Sequence, residues 1–185
     1  MKQFVALEEL EYTGEQLRSS FARTTYNIPG DSIVAFCGPC DVKKEHMVDL
    51  EDLQRGARIY SENMLHFIVE HHDTDLERAV LRQLVLTNIV MDMLNRQLNG
   101  LRVRRVHTDL YDGDAKLTVS VATVTPLSSL IHFGINIKSS NTPVKSRGLA
   151  DYKIEPVDFA RIVVKEYASE IDRLHEVRCK VRWVD

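Results

Sequence analysis

The stretch from Asn99 to Val124, NGLRVRRVHTDLYDGDAKLTVSVATV, decides the fold. LRVRRVH alternates valine with arginine, as a strand with one dry face does, and DLYDGDA is an acidic turn around Gly113. KLTVSVATV is a second strand, with Leu117, Val119 and Val121 on one face, and SLIHFGINI forms another after Pro126. Strands joined by such short connections pair antiparallel, so this part of the chain predicts a meander.

Working outward, Asp73 or Asp75 caps a long helix that ends near Asn99 and is stopped by Gly100. Leu76, Val80, Leu84, Thr87, Met91, Leu94 and Leu98 make one stripe on it, widened by Leu81, Ile89 and Val90, which predicts a well-buried helix. Before it, MLHFIVEHH and SIVAF read as strands, and Thr13 caps a helix over GEQLRSSFARTTY that IPGD breaks. Residues 37–61 read as the longest irregular region, with one helical turn in VDLEDLQR. Downstream, residues 139–153 read as a loop and Pro156 opens a helix faced by Phe159, Val163, Tyr167, Ile171 and Leu174. EVRCKVRWVD reads as a closing strand. With no repeat and no low-complexity linker, the expectation is one α+β domain over residues 1–185, a mixed, mainly antiparallel sheet packed with helices.

Composition narrows the function classes. Among 185 residues, 24 Lys and Arg stand against 27 Asp and Glu, a net charge of -3, so no basic field draws in nucleic acid. No window approaches the roughly 18 apolar residues of a membrane span. These features read as a cytoplasmic protein without nucleic-acid or membrane partners, whose three cysteines, Cys37, Cys40 and Cys179, are thiols unless a redox cycle or metal uses them.

The order of motifs resembles the catalytic centre of biotin protein ligases and their lipoate-ligase relatives. In that family a strand runs into Trp-Pro-Asn-Asp, a turn leads to a Lys-Leu-Ala-Gly strand, and the next strand ends in Gly-Ile-Asn-Val. Here Asp109 falls on the last Asp, Lys116 on the lysine, and Gly134, Ile135 and Asn136 on Gly-Ile-Asn. Upstream, TGEQLRSSF is similar to the family's first helix and PGDSIVAF to its Gly-Asp strand, so the resemblance covers residues 13 to 138. More narrowly, GDSIVAF, MVDLEDL, MLHFIVEH and HFGINI resemble an uncharacterised prokaryotic family, domain of unknown function family 366, to which the same fold is attributed. The departures are as definite. Val106, His107 and Thr108 replace Trp-Pro-Asn, KLTV replaces Lys-Leu-Ala-Gly, and CGPCDVKKEH stands where ligases carry an Arg- and Gly-rich loop for the acyl-adenylate.

The resemblance implies that Lys116 contacts a ligand carboxylate or phosphate and stabilises the charge that grows in acyl transfer. Taken alone, the same residue reads as a surface lysine pairing Asp112 or Asp114. Asp109 and Asn136, beside Gly134, can orient a ligand hydroxyl or amide, or hold Mg²⁺ with phosphates, and suit local backbone hydrogen bonds equally well. Asp41 or Lys43 would close the loop over the ligand. The cofactor set stays open, with ATP and Mg²⁺ as what the resemblance implies. The Cys37–Cys40 spacing offers a redox dithiol as an alternative, although acid follows it where a helix start would lower a thiol pKa. A zinc site would need a further close Cys or His pair, which the sequence lacks, so no metal centre is expected. His66, His71, His72, His107 and His132 are scattered. His71 and His72 cannot share a strand face, while His107 and His132 flank the expected cleft as acid–base candidates. Three functions remain open: acyl activation or transfer on a small carboxylate or nucleotide-like ligand, thiol–disulfide exchange at Cys37 and Cys40, and non-catalytic ligand sensing or dimerisation through an edge made by VRCKVRWV.

Overall fold

The computed structural model describes residues 1–138 and 144–184. A five-stranded sheet runs in the order β1 (Lys2–Val5), β2 (Ser32–Val42), β3 (Ile59–His71), β8 (Ser129–Lys138), β7 (Thr118–Val124). Only β1 and β2 pair parallel, and the other pairs are antiparallel. A smaller sheet contains β4 (Val103–Val106), β5 (Asp109–Asp112) and β6 (Ala115–Lys116), which corrects the expected meander: Asp109–Asp112, read as a turn, is a strand between β4 and β6, and β4 lies in a different sheet from the antiparallel pair β7 and β8.

Alternation along the strands sets the two layers. Ile33, Ala35, Phe67, Val69, Phe133 and Ile135 face a core shared with α3 (Leu76–Gln97) and α4 (Pro156–Cys179). Val34, Phe36, Met64 and Ile68 face the opposite way, onto Ala6, Tyr12, Phe21 and Ala22 of the N-terminal segment and its short α1 (Phe21–Tyr26). Each fully buried Phe, Leu or Ile side chain contributes about 1.5–3 kcal/mol to holding these layers together. HFGINI therefore splits: Phe133, Ile135 and Ile137 enter the helix-side core, which puts His132, Gly134 and Asn136 on the other face.

Several expectations are corrected. The first helix covers only Phe21–Tyr26, and Thr13, instead of capping it, donates its backbone N–H to Gln16 Oε1. The stretch 37–61 is mostly regular structure: β2 runs on to Val42, β3 starts at Ile59, and between them lie a 3-10 turn, Lys44–His46, and α2 (Leu50–Arg55), the helical turn expected in VDLEDLQR, whose Asp49 caps the backbone of Glu51 and Asp52. Cys-Gly-Pro-Cys does not leave the sheet. It is a bulged part of β2, where Pro39 sits at the irregularity between Gly38 and Cys40. Gly38 is required by close approach, because a Cβ there would lie 2.1 Å from the Leu10 carbonyl oxygen. The α3 stripe is rotated from its predicted position: Ala79, Gln83, Leu86, Val90 and Leu94 are buried, while Leu76, Val80 and Leu81 are exposed. EVRCKVRWVD is not a strand. α4 continues through Cys179, and Val181, Trp183 and Val184 beyond it are exposed, so this stretch forms no strand to offer as an edge. β1 is an element the sequence reading did not contain. The expected loop at 139–153 falls partly at 139–143, outside the described residues. From Leu149 to Tyr152 the chain forms a 3-10 turn.

Candidate functional site

The face that carries His132, Gly134 and Asn136 is roofed by α2 and its flanks, and between roof and sheet lie two adjoining cavities of about 470 Å³ and 360 Å³. Lys116, Val119, Ile59 and Asp52 line both, so these four residues form their shared wall. The larger cavity has an apolar floor of Ile59, Tyr60, Met64 and Val119, with Asn136 beside Lys116. The smaller one combines Tyr12, His132 and Val121 below with Asp49, Asp52 and Asp109 around it.

Lys116 is placed by backbone on both sides. Its N–H donates to the Lys145 carbonyl, its own carbonyl accepts from Arg147, and its ammonium lies 2.6 Å from Asp109 Oδ2. The ion pair is with Asp109, not with Asp112 or Asp114 as a surface reading would have it. Burial pushes the Asp109 carboxyl above its usual value against the pull of Lys116, and the carboxylates of Asp52 and Asp49 add to the rise. Asp114 instead pairs Lys145 at 2.8 Å, and Asp112 is the anchor of the strap beside Lys116. Although burial opposes its ionisation, hydrogen bonds from Tyr152, Arg147 and Arg102 hold Asp112 below the ordinary carboxylate range.

The other expected site residues sort by distance from this junction. The Asn136 amide is engaged: Oδ1 accepts from Ser61 Oγ at 3.1 Å and Nδ2 reaches the Arg147 carbonyl, which fixes the side chain at the edge of the larger cavity. Gly134 lines neither cavity but keeps their floor low, since a Cβ there would come 2.9 Å from Met64 Cε and 3.3 Å from Val119 Cγ2. Asp41 stands one step back, pairing Arg58 at 3.5 Å while Arg58 stacks over Tyr60. Lys43 is exposed and lines neither cavity, so the roof is α2 rather than the stretch holding Asp41 and Lys43.

Cys37 packs against the helix-side core and Cys40 lies in the opposite one, so a bond between them would have to cross the sheet. Burial pushes the Cys37 thiol up to about 11, aided by Glu155, and the Cys40 thiol up to about 12, aided by Asp41, which opposes the thiolate that exchange chemistry needs. Among the described residues no three His, Cys, Asp or Glu side chains converge to hold a metal ion.

The histidines hold the largest departure from the sequence reading. His66 and His132 are both fully buried and joined, Nδ1 to Nε2, at 3.1 Å, and Tyr12 stacks on His132 with ring centroids 3.7 Å apart. His71 and His72, expected to part company across a strand, both reach Asp31, because β3 ends at His71 and frees His72 from the alternation. Tyr12 was not among the expected residues. Its signal was three-dimensional only, as the segment 6–12 runs beside β2 through hydrogen bonds to Ala35, Cys37 and Pro39.

This sheet, with helices on one face and a roofed cleft on the other, has the fold of biotin and lipoate protein ligases. A biotin protein ligase from Aquifex aeolicus in complex with biotin and ATP superposes with a TM-score of 0.63 at 14% identity, covering 95% of this chain and 73% of the ligase. A lipoate-protein ligase A bound with ATP gives 0.56 at 17% identity, covering 92% and 85%. Within that class the chain belongs to the family described as a domain of unknown function, DUF366, whose model matches residues 1–182. An uncharacterised protein of Methanocaldococcus jannaschii is 37% identical over 174 residues, 90% of this chain and 78% of that one. A protein of unknown function from Pyrococcus horikoshi has a TM-score of 0.93 at 33% identity, covering 100% of this chain and 99% of its own. No helix among the described residues is long and apolar enough to cross a membrane.

Proposed function

We propose that the cleft binds a small carboxylic acid with an apolar body and presents its carboxyl group to Lys116 for acyl activation or transfer. The supporting observation is the position of Lys116 on the wall between an apolar cavity and a polar one. The body occupies the floor of Ile59, Met64 and Val119, and the carboxylate meets the ammonium where the cavities join. There the cation lowers the barrier by stabilising negative charge on the acyl oxygens, and the fixed backbone around it needs no reorganisation. Asn136, held by Ser61 and Arg147, and Asp109, held by Lys116, position the group. ATP, which the ligases described above hold, is the natural activating partner for such chemistry. No cluster fit to hold a metal of its own is present among the described residues, so we route no step through Mg²⁺.

A second reading, binding without turnover, is favoured by one feature: Asp109 already neutralises Lys116 at 2.6 Å, as suits a site that opens only when a ligand competes for the ammonium. Thermal-shift measurements on wild type and Lys116→Ala with octanoate, lipoate, biotin, ATP with Mg²⁺ and non-hydrolysable acyl-adenylate mimics test both. A ligand at about 100 times its dissociation constant adds about 2.7 kcal/mol. Stabilisation present in wild type and lost in Lys116→Ala supports the site, and turnover assays with that ligand then separate the two readings. No shift with any of these compounds refutes the proposal.

A further inference from the structure

The smaller cavity holds two polar atoms whose chemistry is fixed by what lies beneath them. His66 Nε2 lies 3.2 Å from the Gly38 carbonyl oxygen, and a carbonyl only accepts, so Nε2 carries the proton. Burial pushes His66 down to about 4, so the ring is neutral and its Nδ1 is bare. That bare nitrogen faces His132 Nε2 at 3.1 Å, which must therefore be the donor. Burial, with His66 adding to it, also holds His132 neutral, so its remaining nitrogen, Nδ1, is an acceptor. Tautomer by tautomer, the chain from Gly38 leaves one lone pair at its end.

That lone pair is unused. His132 Nδ1 has no hydrogen-bond partner among the described residues, and neither has the hydroxyl of Tyr12, whose ring stacks on His132 at an interplanar angle of 11°. Both residues are 3% exposed and both line the smaller cavity. Among the described residues the fully enclosed side-chain atoms lacking a partner are Ser32 Oγ and Asn63 Oδ1, so neither His132 Nδ1 nor the Tyr12 hydroxyl is fully enclosed, and the cavity that both residues line is the space beside them. An acceptor and a hydroxyl placed together, nine-tenths buried, at the base of a cavity are costly to leave unmatched. The surrounding carboxylates of Asp49, Asp52 and Asp109 select further, against an anion and for an uncharged or cationic group.

We infer that His132 Nδ1 and the Tyr12 hydroxyl form a subsite for a neutral N–H donor, an amide or an amino group on an aromatic ring, in the part of the ligand that enters the smaller cavity. The inference deepens the proposed function, since it assigns the second half of the same cleft, but its geometry stands without Lys116. His66 acts as a positioning residue that fixes the tautomer of His132.

Nitrogen-15 NMR of the full chain labelled at histidine reads this directly. In the free protein His66 and His132 should both appear as the Nε2–H tautomer, with the Nδ1 resonances in the unprotonated range. Benzamide and 2-aminopyridine are then titrated as donors, with benzoate and pyridine as matched compounds lacking the N–H. The two donors should move the His132 Nδ1 resonance upfield in a saturable way, while benzoate and pyridine leave it in place. A protonated His132 Nδ1 overturns the inference, as does an equal response to donors and non-donors, or no saturable response to either donor. Because the donor probes carry no carboxylate, failure of the Lys116 site alone would leave their binding intact.

Discussion

Acidification should unfold this protein through His66, and the size of the effect can be worked from its surroundings. The ring is fully buried, lies against His132 and the Gly38 carbonyl, and has no carboxylate beside it. Its value falls from 6.5 to about 4 on folding. A depressed folded value means that the unfolded chain takes up the proton first. The stabilising contribution is complete above about pH 6.5, and it is lost as the pH falls toward about 4. At 1.36 kcal/mol per unit, the loss is about 2 kcal/mol by about pH 5 and about 3 kcal/mol by about pH 4, against a total stability of about 5–15 kcal/mol for a domain. His66→Gln isolates this contribution, because the glutamine amide can donate to Gly38 and accept from His132 without titrating. Urea unfolding followed by far-UV circular dichroism is the assay, since Trp183, the one tryptophan, is 85% exposed and would report poorly. Whatever the substitution costs at neutral pH, the variant should lose about 2 kcal/mol less than wild type between about pH 7 and pH 5. Removing His66 also relieves His132 of a like charge, which acts in the same direction. Parallel loss in the two proteins would refute the reasoning.

Lys116→Ala should cost about 1–2 kcal/mol in urea unfolding, since it leaves the partly buried Asp109 carboxylate without its cation. Asp109→Asn keeps the shape of the side chain but should free the ammonium and tighten binding of a carboxylate ligand several-fold in calorimetry, and unchanged or weaker binding would contradict the competition between Asp109 and the ligand for Lys116. Gly38→Ala places a methyl group 2.1 Å from the Leu10 carbonyl oxygen, so a loss of about 3 kcal/mol or more is expected, and a melting temperature near wild type would contradict the close approach. In the native protein a thiol reagent should label Cys179, which is exposed, well before Cys37 or Cys40, and peptide mapping after mild oxidation should find no bond between the last two.

What the sequence made legible was what depends on local pattern. The turn at Gly113 and the hairpin of β7 and β8 follow from alternation and short connections, whereas the strand Asp109–Asp112 and the ion pair of Lys116 with Asp109 did not show in the local pattern. What stayed hidden depends on which surface an element meets. Ala79 and Gln83 outrank the more hydrophobic Leu76 and Leu81 in burial because the sheet lies on their side of α3, which hydrophobicity along one helix does not reveal. The tail from Val177 to Val184 has strand composition but meets no free partner, so the helix continues until Cys179 and the rest stays exposed. Gly38 and Pro39 signal a turn in most settings. Here the glycine serves the approach of residue 10 and the proline occupies a bulge, both consequences of a segment nearly thirty residues upstream. Tyr12 belongs to the cleft for the same reason.

The cleft also differs from the resemblance in the part that would meet a nucleotide. Where the resemblance implies an Arg- and Gly-rich loop, residues 37–42 are strand paired with β3 and a 3-10 turn, Lys44–His46, follows. The roof over the smaller cavity brings Asp49, Glu51 and Asp52 against a single Arg55, and the fields of Asp49 and Asp52 reach as far as the carboxyl of Asp109. A bare triphosphate would set several negative charges against that wall, and each close like-charge pair costs about 4 kcal/mol at an effective dielectric constant of about 20. An uncharged N–H group at His132 meets no such repulsion, and a single carboxylate at Lys116 has the ammonium to offset the charge of Asp109. On these grounds the wall around the smaller cavity disfavours free anions, and it is in this half of the cleft that the chain departs from the resemblance. Any nucleotide that does act here must enter with its charge already offset by a cation that it brings along.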